Sequence, residues 1–537
     1  ICTAKIRRYL AVKNRKEKHM NKFLAELKEI QNFTTTENGA VAFRSTGNAM
    51  LDAFGSLGAM KDSSVESILK TFDLAFNENP EMAMKLLFYI RDVRGGQGMR
   101  RVFRVIITHL AYTHPELVVA NLENILFFGR GDDYLCLLDT PVEKAVIEYI
   151  YRVVSDDLAL IAHGQPCSLL GKWLPSENAS SMETKRYANK LIKGLKLTPK
   201  QYRKMLTTLR RNIGIVETYM SRNEWDKIAF SKVPSRASMI YSDAFQKHCL
   251  DEYIQYLKDV AEGKATINAG ALFPVDIIHR AWEYIYRLHD SKTLKDRYLL
   301  EGMWNALPNY FEGLEETGIC VVDTSGSMYG TPIEVAISLG MYCADKCKGP
   351  FKNHFLTFSS KPHLQEIVGE TIVDKVANMN RADWEMNTNL EAVFDLILRT
   401  AVDNNMKQED IPSKLYIISD MQFDSCVKTD EYRNVVNETF MDTMEHKFAE
   451  HGYTLPAIVY WNVRQSSCGM FQKKFGDHNC CMVSGYSPSL FKAVIEGTDY
   501  VEEQKSDGTT VTKQVIDPMT IMERTLNNER YDRVVCK

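Results

Sequence analysis

The sequence predicts an α + α/β protein, with an N-terminal α-solenoid of stacked helical repeats followed by a doubly wound parallel sheet. From about residue 64 to residue 314, apolar residues recur at helical spacing and strand signals are almost absent. After Gly313 the texture changes: short β-branched apolar runs alternate with amphipathic segments, and the runs lack the polar alternation of a half-solvated strand. That is the signature of parallel strands covered by helices on both faces. At 537 residues the chain exceeds one core, so two or three domains are expected. Hydrophobic content of 45% and charged content of 25% exclude wholesale disorder.

Residues 1–34 form a basic segment carrying Lys5, Arg7, Arg8, Lys13, Arg15, Lys16, Lys18 and Lys22. The first 22 residues have no apolar stretch of signal-peptide type, so no secretory signal is expected. Residues 35–314 are assigned to the helical domain. A helix over 80–94 has Asn79 as N-cap and Pro80 at its first position, and Gly95-Gly96 ends it as a left-handed cap. Further helices are expected over 98–112, 115–127, 141–163, 199–221 and 238–262. Helix pairs of this length, stacked in series, give a solenoid, although no fixed repeat period is visible. Residues 315–500 supply the sheet domain, with strands at 318–323, 354–358, 415–420, 457–462 and 480–483. Its helices are expected at 331–348, 388–402, 432–452 and 487–496. The helix at 331 reads as a capping box, with Thr331 at the N-cap, Pro332 next and Glu334 at the third helical position. A tail, 501–537, begins polar and closes with a helix over 517–528.

The motif that carries chemistry is DTSGSM, Asp323 to Met328. One carboxylate and two hydroxyls on alternate residues of a tight loop can converge on one centre, and Gly326 is expected to let the backbone turn between them. Oxygen-only ligands suit a hard cation such as Mg²⁺. Asp323 and Asp420 each end a strand, and in doubly wound folds ligands sit beyond those ends. Catalytic alternatives are poorly supported. Neither Ser325 nor Ser327 lies in a G-x-S-x-G elbow. Gly164–Lys172 is too long for a phosphate loop and lacks the hydroxyl after Lys172. No enzyme is expected.

This loop resembles the metal-ion-dependent adhesion site (MIDAS) of von Willebrand factor A (vWA) domains. The resemblance implies a Thr from a second loop and an Asp from a third, positions that Thr388 and Asp420 fit, and an open coordination position for a partner's carboxylate. A helical solenoid followed by a vWA domain is similar in layout to the Ro ribonucleoprotein, whose RNA-binding part is the TROVE module. Ala271-Leu272-Phe273-Pro274 resembles a leucine/proline element of that family. Four further segments resemble an uncharacterised Ro-like family of plants, fungi, giant viruses and large phages: 88–104, 128–135, 171–181 and 225–237. The resemblance implies HEAT-like repeats closed into a ring through the vWA domain, with single-stranded RNA ends in the hole and structured RNA on a basic outer face.

Charge distribution points the same way. Net charge is only −3, yet residues 181–236 hold 14 Lys+Arg against 4 Asp+Glu. On the helix that the Thr198–Gln201 capping box starts, Tyr202, Met205, Leu206, Leu209, Ile213 and Val216 share an apolar face. Lys204 and Arg211 lie opposite that face, with Arg203 and Arg210 to one side. These four form the expected cationic stripe, and Lys193, Lys196 and Lys200 are also expected to bind RNA. Arg94, Arg100 and Arg101, with Arg104, are expected around an exposed Gly95-Gly96 joint, where free N–H groups of the next helix would meet phosphate. The expected partner is RNA, as single-stranded ends or a small structured RNA, with a protein carboxylate at the MIDAS as the alternative. That alternative is an interaction or virion-associated structural protein. His163, His248 and His279 read as packing residues, and Trp173 and Trp225 as core. The 12 cysteines lack zinc spacing and read as free thiols of a reducing, cytoplasmic location, or of a virion if the source is viral. No run of about 18 apolar residues exists, so no membrane span is expected, and the chain is read as a monomer.

Overall fold

The computed structural model describes residues 32–36, 41–286, 294–314, 317–358, 362–379, 389–423, 440–465, 471, 479–504 and 510–536. These fall into two compact units. One is helical and comprises Pro80–Asn268 with 529–536; the other is α/β and comprises the described residues of 32–79 and 269–528. The first described elements belong to the α/β unit: strands β1 (Phe33–Thr35) and β2 (Val41–Phe43), which pair antiparallel, and helices α1 (Ala49–Phe54) and α2 (Val65–Glu78).

The helical unit contains α3 (Pro80–Arg91), α4 (Arg100–Thr113), α5 (Pro115–Ala120), α6 (Leu122–Phe128), α7 (Glu143–Ala162), α8 (Leu170–Trp173), α9 (Met182–Gly194), α10 (Pro199–Ile213), α11 (Val216–Ser221), α12 (Ser235–His248) and α13 (Leu250–Ala261). Three helices expected as single are each broken once. Gly214, at φ 67°, caps α10 in the left-handed conformation that glycine tolerates, so 199–221 becomes α10 and α11. Asn121 separates α5 from α6, and Cys249 separates α12 from α13. The α10 capping box forms as expected: Thr198 Oγ1 accepts from Gln201 N at 3.3 Å, and Gln201 Oε1 accepts from Thr198 N at 2.8 Å. Thr198→Ala should therefore cost about 1 kcal/mol, read as faster hydrogen exchange in the first turns of α10. An unchanged exchange rate would remove the cap from the account.

The joint after α3 differs from expectation. Neither Gly95 nor Gly96 has a positive φ; the left-handed residue is Gly98, at 63°. Gly96 is required by close approach, since a Cβ there would lie 2.0 Å from the Tyr89 carbonyl oxygen. Within the joint itself Gln97 N donates to Tyr89 O, Gly98 N to Asp92 O and Met99 N to Ile90 O.

In the α/β unit, α14 (Pro274–Tyr286) and α15 (Leu294–Asn305) precede a six-stranded sheet of β3 (Gly318–Asp323), β4 (His354–Phe358), β5 (Leu364–Glu366), β6 (Lys414–Ser419), β7 (Ala457–Asn462) and β8 (Cys480–Ser484). The order is β5-β4-β3-β6-β7-β8, parallel throughout except for β5, a short antiparallel edge strand with no forecast in the sequence. Helices α16 (Thr331–Lys346), α17 (Ile372–Met379), α18 (Leu390–Asp403), α19 (Phe440–Glu450) and α20 (Ser489–Glu496) accompany it. One face buries Ile319, Val321, Leu415, Ile417 and Ile458 against Val393, Phe394 and Ile397 of α18 and Met444 and Phe448 of α19. On the other, Phe491 of α20 meets Tyr342 of α16 and the Tyr416 and Trp461 rings. Beyond α20 lie two antiparallel strands that the polar tail concealed, β9 (Thr498–Gln504) and β10 (Thr510–Ile516), and then α21 (Pro518–Leu526).

The compact units do not follow the expected boundary at 314/315. Helices α14 and α15 pack with the sheet domain: Trp304 Nε1 donates to Asp345 at 2.9 Å, and Glu301 accepts from Ile372 N at 2.6 Å. Residues 41–79 do likewise, since Ser484 Oγ bridges Gly58 N and Phe54 O. The capping box at α16 is not formed. Gly330 occupies the N-cap with φ 89°, and Glu334 instead accepts from His279 at 2.9 Å. His279 is thus half-exposed and paired rather than packed. Cys249, Cys320, Cys343, Cys347, Cys480 and Cys481 are buried free thiols. Among the described residues, no helix is long and apolar enough to cross a membrane.

Candidate metal centre

Strands β3 and β6 are neighbours in register, Val322 opposite Ile418, and the strand order reverses between them. Their C-terminal ends therefore open into the crevice where doubly wound sheets bind ligands. Asp323 ends β3 and Asp420 follows β6; both are buried, at 0% and 3% exposure. Asp323 Oδ1 accepts from Ser325 N at 2.9 Å, and Oδ2 accepts from Ser419 Oγ at 2.5 Å. Ser419 Oγ in turn accepts from Met421 N at 3.0 Å, and Asp420 Oδ1 accepts from Gln422 N at 3.2 Å. Ser325 Oγ and Ser327 Oγ are 3.1 Å apart. Met421 adopts φ 65°, a strained conformation for a non-glycine residue, directly beside this cluster.

The donor set suits a hard divalent cation. Burial, and next the neighbouring Asp420 carboxylate, push the Asp323 carboxyl up to about 7. No Lys or Arg among the described residues pairs with Asp323. Two buried carboxylates side by side, with two hydroxyls on the adjoining loop, are a donor set that a hard cation would stabilise. Among the described residues no three His, Cys, Asp or Glu side chains are grouped so as to hold a metal ion, and the crevice contributes two carboxylates. Thr388, the expected second-loop ligand, lies outside the described residues.

Three residues beside the loop, Ser419, Arg464 and Tyr329, have no signal in the sequence. Ser419, a hydroxyl ending the otherwise apolar run Leu415–Ile418, buttresses Asp323 rather than forming core. Arg464, after β7, donates from Nη1 to Ser327 O at 2.9 Å and so pins the loop. The backbone does turn at Gly326, which opens the single turn Gly326–Met328 without a left-handed φ; the left-handed glycine of this loop is Gly330. Tyr329 projects beside the loop at 85% exposure.

The expected RNA-binding residues separate into three groups. Arg210 is half-buried and committed to its own unit, donating to Gly171 O at 3.1 Å, Leu174 O at 2.8 Å and Ser176 Oγ at 2.9 Å. Arg203 pairs with Glu177. Arg100 sits 3.6 Å from Asp132, and Arg104 binds Asp132 and Asp133 at 3.0 and 2.7 Å, so carboxylates partly neutralise that cluster. Arg94 and Arg101 are exposed, Arg94 reaching the Phe127 carbonyl at 3.4 Å. Lys193, Lys196, Lys200, Lys204 and Arg211 are exposed and make no ion pair among the described residues. At 100° per residue, Lys200, Lys204 and Arg211 fall within about 40° of one line along α10. Trp173 is no simple core residue: the Arg130 guanidinium lies 3.9 Å over its ring. Trp225 stacks on His248 at 4.3 Å. His163 bonds its own helix, at the Ala159 carbonyl.

Two family models match the chain. Residues 36–133 and 156–313 match a domain of unknown function (DUF2828), and residues 317–526 match another (DUF7788). The chain is also 29% identical, over 542 residues, to an uncharacterised protein of Acanthamoeba polyphaga mimivirus; the match covers 93% of this chain and 90% of that one. The similarity thus spans both the helical and the α/β regions.

Proposed function

We propose that this chain is an RNA-binding protein of Ro-like layout whose vWA-type domain binds a divalent cation, Mg²⁺ or a similar ion. The observation that carries the RNA reading is the line of Lys200, Lys204 and Arg211 along solvent-facing α10, unpaired within the described residues and set in a strongly basic stretch. Helix geometry makes this line about 16 Å long, enough for several phosphates of a single strand. Asp323, Ser325, Ser327 and Asp420 hold the cation, and Thr388 is the fifth residue of the motif. The cation supplies an electrophilic centre for an anionic ligand. The role is binding rather than catalysis.

With Arg203 and Arg210 engaged elsewhere, three phosphate contacts remain. The slope of log affinity against log salt should carry about −2 from them, at roughly −0.7 each. Lys204→Glu/Arg211→Glu should flatten the slope by about 1.4 and weaken binding to many RNA sequences alike, because phosphate contacts carry no base information. Stability should change by less than about 0.5 kcal/mol. Filter binding of unstructured single-stranded RNA from 50 to 300 mM salt tests this. A double variant that binds like wild type removes the stripe from the mechanism.

A second reading is favoured by the exposure of Tyr329 beside a buried cation site. There the site takes a partner protein's carboxylate and RNA plays no part. The absorbance ratio of the purified protein separates the two: co-purifying nucleic acid supports the first, and clean protein that binds no RNA supports the second.

A further inference from the structure

Residues 529–536 fold onto the helical unit in a manner that resembles ligand capture. After a short turn, Glu529–Tyr531, the segment forms no ladder and no α-helix. It is held by side chains that grip its main chain. The buried Asn121 carboxamide accepts from Val535 N at 3.0 Å and donates to Val535 O at 2.7 Å. Asn124, also buried, donates to Arg533 O at 3.0 Å and accepts from the Arg533 guanidinium at 2.6 Å. Side-chain identity is read alongside. The fully buried Asp92 receives the Arg530 guanidinium, at 2.8 Å from Nη2, and the Tyr531 hydroxyl at 3.2 Å. The Tyr531 ring stacks on Phe128 at 5.4 Å, and the Arg533 guanidinium lies 3.8 Å over Phe127.

This division of labour is that of a peptide-binding groove. Carboxamides on main-chain groups give affinity that any sequence can use, whereas a buried carboxylate and an aromatic shelf select particular side chains. Asn121 breaks the helix expected over 115–127, so the residue that interrupts α5 and α6 is also the one that holds Val535.

We propose that the surface carrying Asp92, Asn121, Asn124, Phe127 and Phe128 is a peptide-recognition site. Its resident, intramolecular ligand is segment 529–536, and a separate peptide of the pattern Arg-Tyr-x-Arg-Val-Val exchanges with it. Tethering makes the resident a ligand at high effective concentration, so the intact chain is closed to such a peptide until the segment is displaced.

The test uses a chain ending at Asn528 and a fluorescein-labelled peptide of residues 529–537, read by anisotropy. Saturable one-to-one binding is expected to the shortened chain, and binding at least about 10-fold weaker to the full chain. Asn121→Ala in the shortened chain removes two main-chain hydrogen bonds and should weaken binding about 5- to 100-fold. N-methylation of the Val535 amide removes only one and leaves every side chain in place, so about 2- to 10-fold is expected. A second arm cleaves an engineered protease site between Asn528 and Glu529 after folding; the nicked segment should exchange with labelled peptide. Failure of a shortened chain with native helical content to bind the peptide at about 1 mM, or unaltered affinity with Asn121→Ala, overturns the proposal. Collapse of the helical unit once the segment is removed or nicked overturns it too, because the segment would then be an element of the fold and not a ligand.

Discussion

Asp133→Ala is expected to destabilise the helical unit by about 3–5 kcal/mol, as removal of one member of a fully buried ion pair does. Asp133 is 0% exposed, and the Arg91 side chain it pairs with is 2% exposed; Nε and Oδ2 are 2.7 Å apart. The other carboxylate oxygen takes Arg104 Nε at 2.7 Å, and Arg130 N donates to Oδ2 at 3.1 Å. Burial holds the Arg91 guanidinium below the usual arginine range, and Asp133 is the main opposing influence. Without Asp133 the Arg91 charge has no solvent to turn to, whereas Arg104 still reaches Asp132. Gly129 belongs to the same arrangement, since a Cβ there would come within 2.6 Å of Asp133 Oδ2. Replacing both partners together, Arg91→Met with Asp133→Leu, should recover most of the loss, because an apolar pair leaves no orphaned charge. Native-state hydrogen exchange of the α3 and α4 amides is the suitable measurement, since a chain of two units does not melt as one cooperative body. A loss below about 1 kcal/mol for Asp133→Ala would show that water or another carboxylate reaches Arg91.

The same cluster shows what was legible in the sequence. Periodicity located the helices and the parallel strands, because burial imposes it directly: β3, β4 and β7 have the predicted bounds, β6 is shifted by one residue, and β8 runs one residue longer. The DTSGSM loop was legible because its spacing encodes convergence on one point. What periodicity does not encode is which side chains oppose which. Arg100 and Arg104 read as free cations along the chain, but Asp132 and Asp133 meet them only after folding, together with Arg91 and Arg130. Arg210 looked like part of a solvent stripe for the same reason. Its partners are carbonyls of 171–174 and a hydroxyl at 176, some 35 to 40 residues away. Ser419 was invisible because a buttress hydroxyl and a core hydroxyl look alike in one dimension. The β9–β10 pair was missed because the polar stretch 504–510 dominates the tail, although β10 carries the β-branched Thr510, Val511, Thr512, Val515 and Ile516.

Asp323→Ala should abolish stabilisation by Mg²⁺, which in wild type should reach about 2.7 kcal/mol once free metal is 100-fold above its dissociation constant. The argument rests on what surrounds Asp323. Its carboxylate is buried, has among the described residues only the Ser325 amide, the Ser419 hydroxyl and the Ser325 hydroxyl to satisfy it, and shares its crevice with Asp420. A cation removes that repulsion in the folded chain but gains little from the unfolded one, where the ligands are dispersed. Ser325→Ala/Ser327→Ala leaves both carboxylates in place and removes two neutral donors, so it should weaken metal binding while sparing the fold. Ser419→Ala alters no ligand and should weaken binding about 10- to 100-fold, because the oxygen it orients is then free to turn. Thermal unfolding of the α/β unit in chelator, Mg²⁺ and Mn²⁺ reads all four proteins. If wild type melts at the same temperature in chelator as in saturating Mg²⁺ or Mn²⁺, the crevice is not a cation site, and the anion-recognition role proposed for it falls as well.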